Sequence, residues 1–173
     1  MSEVELRLRV LEDRSELKDL AVRYFLATDD DDYATLARLF TPDATFAAGG
    51  FSGAETRESI IAFLQSARAN MGVTVHTPHY SLIEFAGPDS ATGVVGAHLE
   101  IAMANQSLFG AVRYYDQYRR IEGKWLFARR ELRTIHMGPW EHVASSLTSK
   151  KRVRWPGSEP QLADLPASLV AEG

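Results

Sequence analysis

Four β-forming runs crowd the second half of the chain, near residues 73–86, 91–104, 109–121 and 124–135. Short turn signals such as Gly87-Pro88-Asp89-Ser90 and Glu122-Gly123 separate them. Links this short join antiparallel neighbours, because a parallel pair needs a crossover of roughly a dozen residues or more. The first half reads differently. Leu17, Leu20, Ala21, Tyr24, Phe25 and Thr28 recur at three- and four-residue steps, giving a helix over 3–28 with one apolar stripe. The acid run Asp29 to Asp32 suits the start of a second helix, Tyr33 to Phe40, which Thr41-Pro42-Asp43 ends. A short strand, Ala44-Thr45-Phe46, and a turn from Ala48 to Gly53 lead to a third helix from about 54 to 70. Helices first and an antiparallel meander after them predict an α+β fold, with helices packed on one face of a curved sheet.

Length and charge narrow the function. The 173 residues suit one domain with a proper core. The net charge of −4 gives no global attraction for nucleic acid. No cysteine is present, which excludes disulfides, thiolate metal sites and a cysteine nucleophile. The start, Met1-Ser2-Glu3-Val4-Glu5, carries acids where a signal peptide carries bases, and no apolar run has the length of a membrane span. A cytoplasmic protein with no membrane partner is the expectation. Gly49-Gly50 lacks the Gly-Lys-Ser/Thr ending of a phosphate loop. The basic run Lys150-Lys151-Arg152-Val153-Arg154 has no aromatic platform beyond Trp155, so nucleic acid is not expected as a partner. Residues 141–173 read either as an extension that wraps this domain or a neighbouring subunit, or as a partly disordered tail.

The chemistry centres on Asp29 and His76. A carboxylate and an imidazole that meet in an apolar cavity make a general base: the acid fixes the tautomer and stabilises the charged ring, and the free nitrogen takes the proton. Asp29 lies one turn beyond Phe25 and can share its face. Its competing role is to cap the second helix, for which Asp30, Asp31 and Asp32 are alternatives. His76 has a rival in His79. Three residues apart, the two face opposite sides of a regular strand, unless Pro78 marks a bulge that changes the parity. His98 is expected to face away from the cavity if Ala97 and Leu99 face it. His-Thr-Pro-His is not a metal-ligand spacing, so neither a metal nor another cofactor is expected. Arg129 and Arg130 alternate, and only one can point inward.

The order of elements, together with Tyr24 and Asp29 closing the first helix, the stretch from Leu36 to Phe46 and the last hairpin Glu122-Gly123-Lys124-Trp125-Leu126-Phe127-Ala128-Arg129-Arg130, resembles the SnoaL-like branch of the nuclear transport factor 2 superfamily. The resemblance covers roughly residues 10–135. It implies a cone-shaped curved antiparallel sheet, here over residues 1–140, with 141–173 as an extension. Within the superfamily the chain looks like the lyases hexachlorocyclohexane dehydrochlorinase, scytalone dehydratase and bile-acid 7α-dehydratase. The Asp29-to-His76 separation and the distance from Asn105-Gln106-Ser107 to Trp125 carry that likeness. It implies His76 as base, Asp29 as its partner and Arg130 as the group that stabilises developing negative charge. Tyr24 stands at a pocket position that is lysine in the dehydrochlorinase. Phe25, Phe46, Met71, Ala97, Leu99 and Tyr114 are expected to line the substrate cavity, although Tyr24, Phe46, Met71 and Tyr114, like Trp125, also read as plain core. The expected function is a cofactor-independent elimination or isomerisation on an apolar, cyclic small molecule. A non-catalytic ligand-binding or structural subunit, and a polyketide cyclase that uses the carboxylate alone, are the alternatives. The open sheet face implies a homo-oligomer. The resembling lyases are trimers and many other cone-fold proteins dimers, and the long C-terminal extension favours a trimer over a dimer.

Overall fold

The computed structural model describes residues 2–49 and 51–170. Helix α1, Glu3–Asp29, opens on a capping box in which Ser2 and Glu5 satisfy each other's backbone N–H groups. Helix α2, Tyr33–Leu39, is capped by the Asp32 side chain on the Thr35 N–H at 2.9 Å. Strand β1, Phe40–Ala48, begins at once, so Thr41-Pro42-Asp43 ends the helix by entering the sheet. Strand β2, Phe51–Ala54, takes up part of the expected turn region, and α3 spans Arg57–Arg68. The four long strands are β3 (Met71–Phe85), β4 (Ser90–Met103), β5 (Gln106–Ile121) and β6 (Lys124–Pro139).

The sheet order is β2-β1-β6-β5-β4-β3. The meander β3 to β6 is antiparallel as expected, but β1 lies parallel to β6. The sheet is therefore mixed. The β5–β6 hairpin turns on Glu122 and Gly123, with φ of 50° and 77°. Positive φ at both central positions matches the right-handed strand twist. Ala104 and Asn105 make the same kind of turn between β4 and β5, with φ of 50° and 59°.

Two irregularities decide which side chains face the helices. In β5–β6, Tyr118 pairs with Phe127 but Gln117 pairs with Arg129, so Ala128 is an extra residue. Trp125 and Phe127 point into the core, and a regular strand would have sent Arg129 after them. The bulge at Ala128 reverses the parity and buries Arg130 completely. In β3–β4, Pro78 pairs with Ala97 and Tyr80 with Gly96, which leaves His79 as the extra residue, exposed on the outer face. There its ring lies 4.2 Å from that of His98.

After β6 the chain runs through a 3₁₀ turn, Trp140–His142, and a short helix α4, Val143–Ser146, then returns along β6. Val153 bridges Met137, and Val153, Ala163 and Leu165 are buried. Arg152, which the sequence presents as part of a basic run, is itself buried. Its guanidinium donates to the carbonyls of Ile135 (3.0 Å), Ser149 (3.3 Å) and Leu165 (2.6 Å). A charged donor on three carbonyls holds the returning segment to β6. Arg152→Met therefore removes this donor from one buried and two partly buried carbonyls, and we expect a loss of about 2–4 kcal/mol in urea unfolding. An unchanged midpoint would show that the segment contributes nothing to domain stability.

Candidate active site

Asp29 ends α1, and its side chain crosses to β3. Oδ2 accepts the backbone N–H of His76 at 2.8 Å. Oδ1 accepts the Thr74 hydroxyl at 2.7 Å and lies 2.6 Å from His76 Nδ1. Three donors from one strand thus converge on one carboxylate. The acid run divides its work accordingly. Asp32 caps α2, which frees Asp29 from that task, and Asp31 is more than a solvated acid, because it takes a two-pronged contact from Arg68 at 2.8 and 3.0 Å. Arg68 also donates to Thr74 at 3.0 Å, so it ties the start of β3 to the α1–α2 turn.

The protonation pattern follows from the partners. Burial pushes the Asp29 carboxyl up, but the hydrogen bond and charge of His76, its backbone N–H and the Thr74 hydroxyl outweigh burial and hold it below the usual aspartate range. An ionised carboxylate only accepts, so Nδ1 of His76 carries the proton and the neutral ring keeps its lone pair on Nε2. That nitrogen has no hydrogen bond among the described residues. The ring is fixed from the side by Phe25, stacked at 5.1 Å and 14°. The imidazole is oriented, of defined tautomer and nearly buried, at 10% side-chain exposure.

Arg130 occupies the same interior. Its guanidinium carbon lies 4.1 Å from the ring centres of Tyr24 and Tyr114, 4.4 Å from Phe127 and 5.3 Å from Phe25. Nε is 3.6 Å from Asp116 Oδ1, and none of its three nitrogens makes a hydrogen bond among the described residues. Four aromatic faces replace part of the lost hydration of the cation. Burial pushes Tyr24 above the usual phenol range and Tyr114 well above it, against the opposing charge of Arg130. Both phenols stay neutral and can only donate or accept hydrogen bonds.

Asp116 was not legible as a site residue. It is fully buried on β5, where it accepts the Tyr118 hydroxyl at 2.9 Å. Gly93 allows this, since a Cβ there would meet the Tyr118 ring at 2.8 Å. The available signal was its parity: Tyr114, Asp116 and Tyr118 alternate along one face, which puts an acid on the core side. Burial raises the Asp116 carboxyl to about 6, with Arg130 and Tyr118 pulling the other way.

Of the residues expected to line a cavity, Tyr24, Phe25 and Tyr114 gather around Arg130, with Phe25 also on His76. Phe46 pairs in register with Arg130 and packs on Phe63 at 5.7 Å. Ala97 and Leu99 are buried on β4, with Leu99 opposite His76. Met71 is half-buried at the start of β3. Trp125 is core, packed on Phe85 at 6.1 Å. Two cavities of about 280 Å³ and 160 Å³ open on the other face of the sheet, and neither is lined by Asp29 or His76.

The SnoaL-like domain family matches residues 9–131, and the chain belongs to that family. No match is found among curated proteins. Solved structures give the same fold. The type 3 hexachlorocyclohexane dehydrochlorinase from Novosphingobium barchaimii is 21% identical with a TM-score of 0.74, over 79% of this chain and 96% of that one. A scytalone dehydratase-like protein from Novosphingobium aromaticivorans is 21% identical with a TM-score of 0.71, over 76% and 90%. An NTF2-like protein with a cystatin-like fold from the same organism is 28% identical with a TM-score of 0.65, over 76% and 88%.

Asp116 gives a signed pH test. Its folded pKa lies above the ordinary carboxyl value, so the folded state binds the proton more tightly, and stability from this group falls as pH rises from about 4 to about 6. Asp116→Asn removes the titration. We expect the two proteins to be similarly stable near pH 4, and the variant to be the more stable by roughly 1–3 kcal/mol at pH 7. Parallel stability curves across that range in urea would contradict the raised pKa.

Proposed function

We propose that the protein is a cofactor-independent lyase or isomerase whose base is His76. The observation that carries the reading is the Asp29–His76 pair: Nδ1 is committed to an ionised carboxylate, and Nε2 is left with a lone pair. His76 removes a proton from carbon, and Asp29 stabilises the imidazolium that forms. A leaving group then departs from the neighbouring carbon, or the double bond migrates. Arg130 is the cation that can stabilise negative charge developing on the substrate or leaving group, and Tyr24, kept neutral, is a donor beside it. The aromatic and aliphatic residues around both groups suit a mostly apolar, cyclic small molecule. The names of the two similar structures, a dehydrochlorinase and a scytalone dehydratase-like protein, support this class of chemistry.

The dyad can be tested without a substrate. In proton NMR, a hydrogen-bonded His76 Nδ1–H should appear far downfield and exchange slowly, and Asp29→Asn should abolish or strongly shift it. An identical resonance in both proteins would separate the two residues and favour a ligand-binding role.

Turnover tests the mechanism. On cyclohexane rings with a halide or hydroxyl β to an acidic C–H, His76→Ala is expected to lose about 10²–10⁴-fold in kcat with the fold intact. Full activity in His76→Ala, with none in Asp29→Asn, would instead select the carboxylate acting alone.

A further inference from the structure

Helix α1 runs well past the domain it serves. It begins at Glu3, but its first buried residue is Asp13, and residues 2–12 are all exposed. The family match starts at residue 9, so much of this overhang precedes it. The overhang is rich in large apolar side chains: Val4, Leu8 and Leu11 are 74%, 54% and 64% exposed. They follow one another at steps of four and three, which sets them on a single seam of the helix. Leu6 and Val10 lie on the opposite side and continue the buried stripe of α1 beyond the sheet.

The charges beside the seam are sorted. Glu5 and Glu12 directly follow seam residues Val4 and Leu11, whereas Arg7 directly precedes Leu8. In heptad terms Val4, Leu8 and Leu11 take positions d, a and d, with acids at e and arginine at g. In a parallel pair, g of one helix meets the next e of the other, which places Arg7 against Glu12 of a second copy. In an antiparallel pair, g meets g and e meets e, which sets arginine against arginine and glutamate against glutamate. The same sorting continues at Arg14, but that side chain is held on its own domain by the Ile83 carbonyl at 2.9 Å and by the Phe85 ring. The self-complementary stretch is therefore the overhang itself. About ten residues of helix are marginal alone in water, even with the Ser2 capping box, and a packed seam supplies what is missing.

We infer that the α1 overhang is a self-association surface, on which a second copy of this chain docks in parallel through Val4, Leu8 and Leu11, with Arg7 facing Glu12 of that copy. The pairing joins domains at their helical ends and leaves Asp29, His76 and Arg130 untouched.

Sedimentation velocity on the full-length chain tests this. The wild type should associate, and Leu8→Glu should weaken association by at least about tenfold in Kd. Leu8 is 54% exposed and lies outside the buried core, so the variant should keep the cooperative unfolding of the domain and its β-sheet circular dichroism, losing at most the helix signal of the overhang. Arg7→Glu should also weaken association, and Arg7→Glu with Glu12→Arg should restore it. The chain has no native cysteine, so Val4→Cys reports direction: a parallel seam yields a disulfide-linked pair under mild oxidation, while an antiparallel one yields none. A monomeric wild type, an assembly unaffected by Leu8→Glu, or no cross-link at Val4→Cys would overturn the proposal.

Discussion

The Asp29 carboxylate is the join on which this molecule depends. It sits where the long helix stops, and it receives three hydrogen bonds from β3, two from His76 and one from Thr74. A backbone N–H, a hydroxyl and a ring nitrogen have different geometries, so together they fix the helix end against the strand in rotation as well as distance. A half-buried acid with one donor would pay heavily for its desolvation, whereas with three donors the ionised form prevails. The same bonds that dock α1 on the sheet also set the histidine tautomer. Docking of the helix and the proposed chemistry share one residue here, and Asp29 is free for both because Asp32 takes the cap.

Asp29 and Asp116 are pushed in opposite directions. Asp29 has hydrogen-bond donors on both oxygens and is held ionised. Asp116 has one hydroxyl on Oδ2 and a guanidinium at 3.6 Å, too long for a hydrogen bond, and burial raises its carboxyl to about 6. Hydrogen-bond count thus separates an acid at the end of α1 from one on β5. The consequence for Arg130 is that its counter-charge is only loosely held. Its stabilisation rests as much on the faces of Tyr24, Tyr114 and Phe127 as on Asp116.

The sequence makes the framework legible because that framework is periodic. The stripe from Leu17 to Thr28 and the alternation along the four long strands specify the helix face and the sheet, and the two-residue turn at Glu122-Gly123 specifies a hairpin. The site was legible in part, since Asp29 and His76 stand out by type and position. What periodicity cannot give is a place where the period breaks. Trp125 and Phe127 point to Arg129 as the inward arginine, and only the extra residue at Ala128 makes it Arg130. His79 reads as a rival base until it is found in the β3 bulge on the outer face. Neither bulge carries a glycine, and although Pro78 beside His79 hinted at one, nothing in the local residues marks Ala128. Arg152 was hidden for a different reason. A run of basic residues reads as a solvated patch, and its burial depends on a chain reversal that brings Leu165 and Ile135 to one guanidinium.

Position within the aromatic cluster links the parts of the interior. Phe25 is one residue from Tyr24 and one turn from Asp29, and its ring lies flat on His76 while its other neighbours are Arg130 and Tyr114. Any movement of the Arg130 guanidinium must therefore be accommodated by the ring that is stacked on His76. Close packing makes such a coupling stiff, because a buried aromatic ring cannot shift without displacing its contacts. His76 and Arg130 are consequently parts of one packed unit, and a substitution at Phe25 acts on both at once. A smaller residue there removes the stack on His76 and one face of the cation cage together, so its effect on the site exceeds what the loss of either contact alone would produce.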